Sequence, residues 1–211
     1  SDDCSKDDTW RVIMEYKIQY PDIIRAYRND KNLGIYGNIE KLVSLRGEGE
    51  LFHILSGDDE LGPGLFFETQ KFIIKNKINI KDKAVCIYAD FISRNTNGKD
   101  TIIQNKKVLK GGNLFSLAIR KLIFNHALIV SSKVFDKYKP IILDEGITLS
   151  EVLFDRQMQL HADFSYYIPV IGHIYYTGIG VSTMATSIDY KFGILHAYQR
   201  ILELIPMKMV D

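Results

Sequence analysis

The stretch Leu51–Leu61, LFHILSGDDEL, narrows the field more than any other part of the chain. A largely apolar run of strand length, Leu51 to Leu55, ends in Ser56 and Gly57, and two adjacent carboxylates, Asp58 and Asp59, follow. In an open α/β sheet, ligands bind just outside the carboxyl ends of the strands. Two carboxylates placed there repel each other unless protonated or joined by a cation. Mg²⁺-type ions are typically held by one or two carboxylates plus substrate phosphates. The segment therefore reads in one of two ways: a metal-and-phosphate site at the tip of a buried strand, or an acidic surface turn leading to the next helix.

The surrounding pattern is that of an α/β domain. Helical spacing marks Trp10–Tyr20, Asn38–Leu45, Gly64–Ile78, Leu114–Phe124, Leu149–His161 and Lys191–Leu204, with a shorter helix at Val134–Tyr138. Strand-like runs fall at Ile23–Tyr27, Leu51–Leu55, Ala84–Phe91, His126–Ser131, Tyr166–Val170 and Ile174–Tyr176. The Asn-Gly turn in NTNGK (Asn95–Lys99) predicts a return strand at Thr101–Gln104. Strands alternating with helices predict a mixed, mainly parallel sheet flanked by helices, in a single domain over residues 1–211.

With 46% hydrophobic residues in 211, the chain can build a substantial core. A net charge of +1 gives no sign of a nucleic-acid groove. Cys4 and Cys86 have no metal-type spacing, and such sparse usage fits a reducing compartment. No apolar run approaches the roughly 18 residues that would cross a bilayer. The basic cluster Asn105–Lys110, NKKVLK, reads as solvated surface, or as a contact with anionic lipid.

Four stretches, in this order, carry a family resemblance: SDDCSKDDT (Ser1–Thr9), NLGIYGN (Asn32–Asn38), GEGELFHILSGDDEL (Gly47–Leu61), and VCIYADF followed by NGK. FSYYIP (Phe164–Pro169) follows later. Together they resemble the inverting family 2 glycosyltransferases of GT-A fold, the nucleotide-diphospho-sugar transferase class with a Rossmann-like sheet. The resemblance implies a nucleotide- and metal-binding part over residues 1–92 and an acceptor-side part over 93–211. It also implies that the family's first strand and helix precede Ser1, so that this fold is N-terminally truncated here.

By position, the resemblance gives Asp3 a contact with the nucleotide base and places Asn32 and Gly34 along the nucleotide site, with Asn38 opening the next helix. The plainer roles of these residues are Asx turns and helix caps. Asp59 matches the metal ligand that bridges to the diphosphate, and Asp58 the residue that contacts the ribose or supports the metal, with Mn²⁺ or Mg²⁺ as the implied ion. Where the family often carries a third acid, this chain has Ser56.

The family's base is an Asp in a Glu-Asp pair that opens the helix before the "YIP" strand. Here that helix begins Ser150-Glu151-Val152, so Val152 takes the Asp position and Glu151 is the nearest carboxylate, with Asp155 one turn on along the same face. Glu151 and Asp155 are the candidate bases; Glu151 also suits the positive end of the helix. His126 and His173 fall near strand ends, where a lone histidine is most often part of core or surface. Gly178 and Gly180 suggest a loop able to fold over the donor.

The implied reaction moves a sugar from a nucleotide-diphosphate sugar, a UDP-sugar above all, to a hydroxyl of a glycan or lipid-linked glycan. The setting is bacterial surface polysaccharide synthesis, in the cytoplasm at the inner face of the membrane. Ser56 and Val152 favour the alternative of a non-catalytic nucleotide-sugar-binding or scaffolding domain. A nucleotidyltransferase, which also uses strand-end carboxylates and a metal, would need a Gly-rich phosphate loop near its N-terminus, in the part expected to precede Ser1.

Overall fold

The computed structural model describes residues 1–105, 127–139, 150–179 and 187–204. Its centre is strand β3 (Val85–Arg94), whose first seven residues are all buried. Valine, isoleucine, tyrosine and phenylalanine fit a pleated surface packed on both faces, and alternate β3 residues feed two apolar clusters. Cys86 and Tyr88 join one cluster with Tyr36, Leu128, Val130 and Leu153. Val85, Ile87, Ala89 and Phe91 join the other with Leu65, Ile73 and Ile168.

The remaining strands are β1 (Leu51–Phe52), β2 (Glu60–Leu61), β4 (Asp100–Ile103), β5 (Leu128–Ser131) and β6 (Phe164–Tyr176). They form one sheet in the order β1-β5-β3-β6-β2, with β4 also on β3. The described helices are α1 (Thr9–Gln19), α2 (Gly34–Ser44), α3 (Leu65–Lys75), α4 (Ser150–His161) and α5 (Ile188–Leu204). Among the described residues none is long and apolar enough to cross a membrane.

The sheet is mixed, as expected, but it is not mainly parallel. Among the described residues, β3 and β6 form the parallel pair, and it is the longest; β1–β5, β2–β6, β3–β4 and β3–β5 are antiparallel. The two strands expected at Tyr166–Val170 and Ile174–Tyr176 are one strand. Its register against β3 jumps from Ala89↔Ile168 to Asp90↔Ile171. That bulge takes in Pro169, so the missing N–H removes no ladder bond.

The strand expected over Leu51–Leu55 pairs only through Leu51 and Phe52. Beyond them, the carbonyl of Leu128 is met by the His53 ring at 2.8 Å rather than by backbone. Ile23–Tyr27 forms no strand; its place in the fold is marked by a single parallel bridge, Asp2↔Arg28. The expected helix at Val134–Tyr138 is a 3₁₀ turn at Ser132–Val134, and α1 buries none of its residues. The NTNGK hairpin forms as expected, with Gly98 at φ +75° and the Asn95 side chain accepting the N–H groups of Asn97 and Lys99. The helix predicted at Leu114–Phe124, His126 and the basic run beyond Asn105 lie outside the described residues.

Candidate active site

The first two motifs are wired together. Asp2 is buried, paired with the Arg28 guanidinium at 3.1 Å, and its backbone N–H and C=O bond to Tyr27 and Asn29. This sets Asp3 over the NLGIYGN loop. Asp3 Oδ1 accepts the Asn29 side-chain amide at 2.9 Å and the Leu33 backbone N–H at 2.8 Å, while Asp3 Oδ2 makes no hydrogen bond among the described residues. Asn32 Nδ2 donates to the Asp3 carbonyl, and Asn32 Oδ1 accepts the Gly34 N–H at 3.0 Å.

Asn32 therefore closes an Asx turn, and Gly34 starts α2 at φ +74°, a left-handed conformation that favours glycine. Asn38, expected to open this helix, lies inside it because α2 already begins at Gly34. There Asn38 accepts the Asn29 amide at 3.1 Å. Asn29 and Asp2 are structural members of the site that sequence reasoning passed over. Their signal was present: buried polar side chains flanking a Gly-Asn-rich loop need partners.

The acidic turn divides its labour sharply. Asp59, expected to be the first metal ligand, has a side chain only 2% exposed, with both oxygens committed inside the protein. Its Oδ2 meets His173 Nε2 at 3.0 Å, and its Oδ1 accepts the Tyr176 backbone N–H at 3.0 Å. A carboxylate oxygen accepts, so His173 donates from Nε2 in this contact. Asp58, the neighbouring carboxylate, is exposed.

The turn is closed by the Asp59 N–H donating to Ser56 O, and β2 then carries it onto β6, with Glu60 opposite Ile174 and Leu61 opposite His173. On the far side, the Tyr176 hydroxyl donates to Glu60 and accepts from Arg94 at 3.0 Å. Arg94 also grips Asp100 through two hydrogen bonds of 2.7 and 3.0 Å, holding that carboxyl below its usual range. His53 packs edge-on to His173, with ring centroids 5.7 Å apart. Burial, then its neighbour His173, pushes His53 toward its neutral form against the pull of the Leu128 carbonyl.

Both candidate bases lie on α4. Glu151 lies in the first turn of α4, and its side chain falls outside the described residues. Asp155 is half-buried and lines a small cavity of about 40 Å³ with Phe52, Ile54, Phe154 and Met158. It adds to burial in raising the Cys86 thiol. A second carboxylate that the motifs contained but no role was given to is Asp90 of VCIYADF. It is buried at the β3 bulge and accepts the Asn105 N–H at 2.8 Å and the Tyr167 hydroxyl at 2.9 Å. Burial, then Asp90, pushes Tyr167 up to about 12.

A cleft of about 440 Å³ runs between Ser1 and the His53–Leu55 segment, walled by Leu42, Val43, Phe52 and Phe135. It brings the first motif and the approach to the acidic turn to one place, with Arg25 and Arg46 also in its lining, and Asp58 lies outside it. Among the described residues no three His, Cys, Asp or Glu side chains cluster to hold a metal by themselves. One exposed carboxylate on a rigid turn does fit an ion shared with a diphosphate, where substrate oxygens and water complete the coordination.

A family model described as "Glycosyl transferase family 2" matches residues 1–127. Uncharacterized proteins of Mycobacterium bovis and Mycobacterium tuberculosis are 36% identical over 59 residues, 28% of this chain and 17% of their own length. The crystal structure of S. aureus TarS 1–349 in complex with UDP-GlcNAc resembles the chain with a TM-score of 0.65 at 14% identity, over 95% of this chain and 56% of that one. The complex of the same TarS segment with UDP gives 0.59, over 96% and 59%. The chain thus spans a small part of its curated relatives and just over half of TarS 1–349. The structural likeness extends over nearly the whole chain and confirms the GT-A type α/β fold expected from the motifs.

Proposed function

The chain belongs to glycosyl transferase family 2, and on that footing we propose that it transfers a sugar from a UDP-sugar to an acceptor hydroxyl with inversion, in the synthesis of a bacterial surface glycan. The observation that carries this reading is the acidic turn, which presents exposed Asp58 on a base fixed by Asp59, whose side chain is enclosed. Asp3, held by Asn29 and Leu33 with one oxygen left over, is the group for the nucleotide base. Asn32 and Gly34 shape the loop beside it. That TarS was crystallised with UDP and with UDP-GlcNAc supports a uridine nucleotide as the donor carrier.

In this proposal Asp58, rather than Asp59, would hold Mn²⁺ or Mg²⁺ together with the diphosphate. When bound, such an ion offsets the charge that builds on the departing nucleoside diphosphate. Glu151 takes the proton of the acceptor hydroxyl as its oxygen bonds to the anomeric carbon, while the bond from that carbon to the diphosphate oxygen breaks and leaves its electron pair on the diphosphate. Asp155, turned toward the apolar cavity, is the weaker candidate for this role. The acceptor is a glycan or lipid-linked glycan, reached at the inner face of the membrane.

A screen of UDP-, GDP- and dTDP-sugars for donor hydrolysis with Mn²⁺ tests the proposal. The expected result is turnover of a UDP-sugar that stops on adding EDTA. Glu151→Gln is expected to slow transfer to acceptor by about a hundredfold or more, the usual contribution of a positioned base, with donor binding unchanged. Tight UDP binding with no turnover of any donor would favour the scaffolding role instead, and wild-type transfer rates in Glu151→Gln would remove Glu151 from the mechanism.

A further inference from the structure

We infer that His173 is a positioning residue for the donor site: it fixes the acidic turn through Asp59, so that Asp58 is held where the metal and diphosphate bind. The inference rests on the donor-site reading above. Three observations carry it. The contact is enclosed, since the His173 and Asp59 side chains are 3% and 2% exposed. It is also short, with His173 Nε2 3.0 Å from Asp59 Oδ2. The third is that Asp59 has its other oxygen on the Tyr176 N–H, so the carboxylate is clamped from two points of β6. A carboxylate held this way cannot rotate, and its peptide neighbour Asp58 inherits the fixed backbone.

The clamp reaches across 114 residues of sequence and joins the turn to the strand that also carries Tyr176. Through that residue the turn is tied to Arg94 and Glu60. Removing the His173 donor leaves a buried carboxylate oxygen unpaired, a costly state. The Asp59 side chain then turns toward water and takes the turn with it. Partners that hold metal-ligating side chains govern metal affinity by about 10–100-fold, and a partner that holds the residue next to the ligand is expected at the lower end of that range.

The experiment compares two polar replacements in the protein that carries this domain. The amide nitrogen of His173→Gln reaches about as far as Nε2 and can donate to Asp59; that of His173→Asn stops short. Mn²⁺ binding in the presence of UDP is read by the loss of the free-ion electron paramagnetic resonance signal, with the melting temperature of each variant measured alongside. The expected result is affinity within about threefold of wild type for His173→Gln and at least about tenfold weaker for His173→Asn. Equal affinity in the two variants, whether both normal or both impaired, would overturn the role of His173. Failure of the wild type itself to take up Mn²⁺ with UDP would overturn the reading of the site, and this inference with it.

Discussion

Asp58→Ala is expected to lower Mn²⁺-dependent turnover of the donor by about a thousandfold, the scale of losing several kcal/mol of charge stabilisation at the leaving group. The expectation follows from exposure. Asp58 is the member of the acidic pair that faces solvent, and Asp59 has both oxygens engaged by His173 and Tyr176. Since Asp58 contributes little to packing, the variant should keep the wild-type melting temperature within about 2 °C, as surface substitutions do. Asp59→Ala should differ in kind, losing both stability and turnover, because it removes the enclosed carboxylate that His173 Nε2 and the Tyr176 N–H meet. Kinetics with Mn²⁺ and thermal melts of the two variants distinguish these outcomes. Wild-type turnover in Asp58→Ala would remove the acidic turn from the donor site.

Gly62→Ala is expected to destabilise the protein by about 3 kcal/mol, which for a domain of this size lowers the melting temperature by about 6–12 °C. A Cβ at Gly62 would stand 2.1 Å from the Ile171 carbonyl oxygen and 2.6 Å from the Gly172 carbonyl carbon. Both obstacles are backbone, which cannot swing aside as a flexible side chain can. The same glycine donates its N–H to Gly172 O at 2.9 Å, so any shift that relieves the clash strains the β2–β6 pairing. The acidic turn rides on that pairing, so Mn²⁺ affinity should fall together with stability. Gly57→Ala is the control: a Cβ there meets nothing within 4 Å, and its stability should be close to wild type. Equal melting temperatures for the two variants would contradict the close approach of β2 to β6.

What the sequence made legible was local. The Asn-Gly signal of NTNGK, the apolar length of β3, and the helices α1, α3, α4 and α5 follow from turn chemistry and periodicity, and their bounds fall within a few residues of expectation. Strand direction was not legible, because β1 and β5 pair with partners far along the chain and their short apolar runs look alike whichever way they run. The extent of β1 was hidden for a related reason. His53 sits inside an apolar run, yet its ring, not the backbone, meets Leu128.

The site shows the same division. The motifs brought Asp3, Asn32, Gly34, Asp58 and Asp59 into view, but nothing in SGDD distinguishes an exposed carboxylate from a buried one. That distinction comes from His173, read in isolation as an ordinary core or surface histidine, and from a backbone N–H that no side-chain pattern reveals. Asp90 was missed similarly: its partners Tyr167 and Asn105 become visible only when β6 and the end of the β3–β4 hairpin are set beside it.

The most direct measurement is a calorimetric titration of UDP into the protein, in Mn²⁺ and again in excess EDTA. A carboxylate that holds the ion only together with a diphosphate predicts binding with Mn²⁺ that weakens at least about tenfold when the metal is removed. Equal affinity in EDTA, or no binding in either condition, would contradict the account.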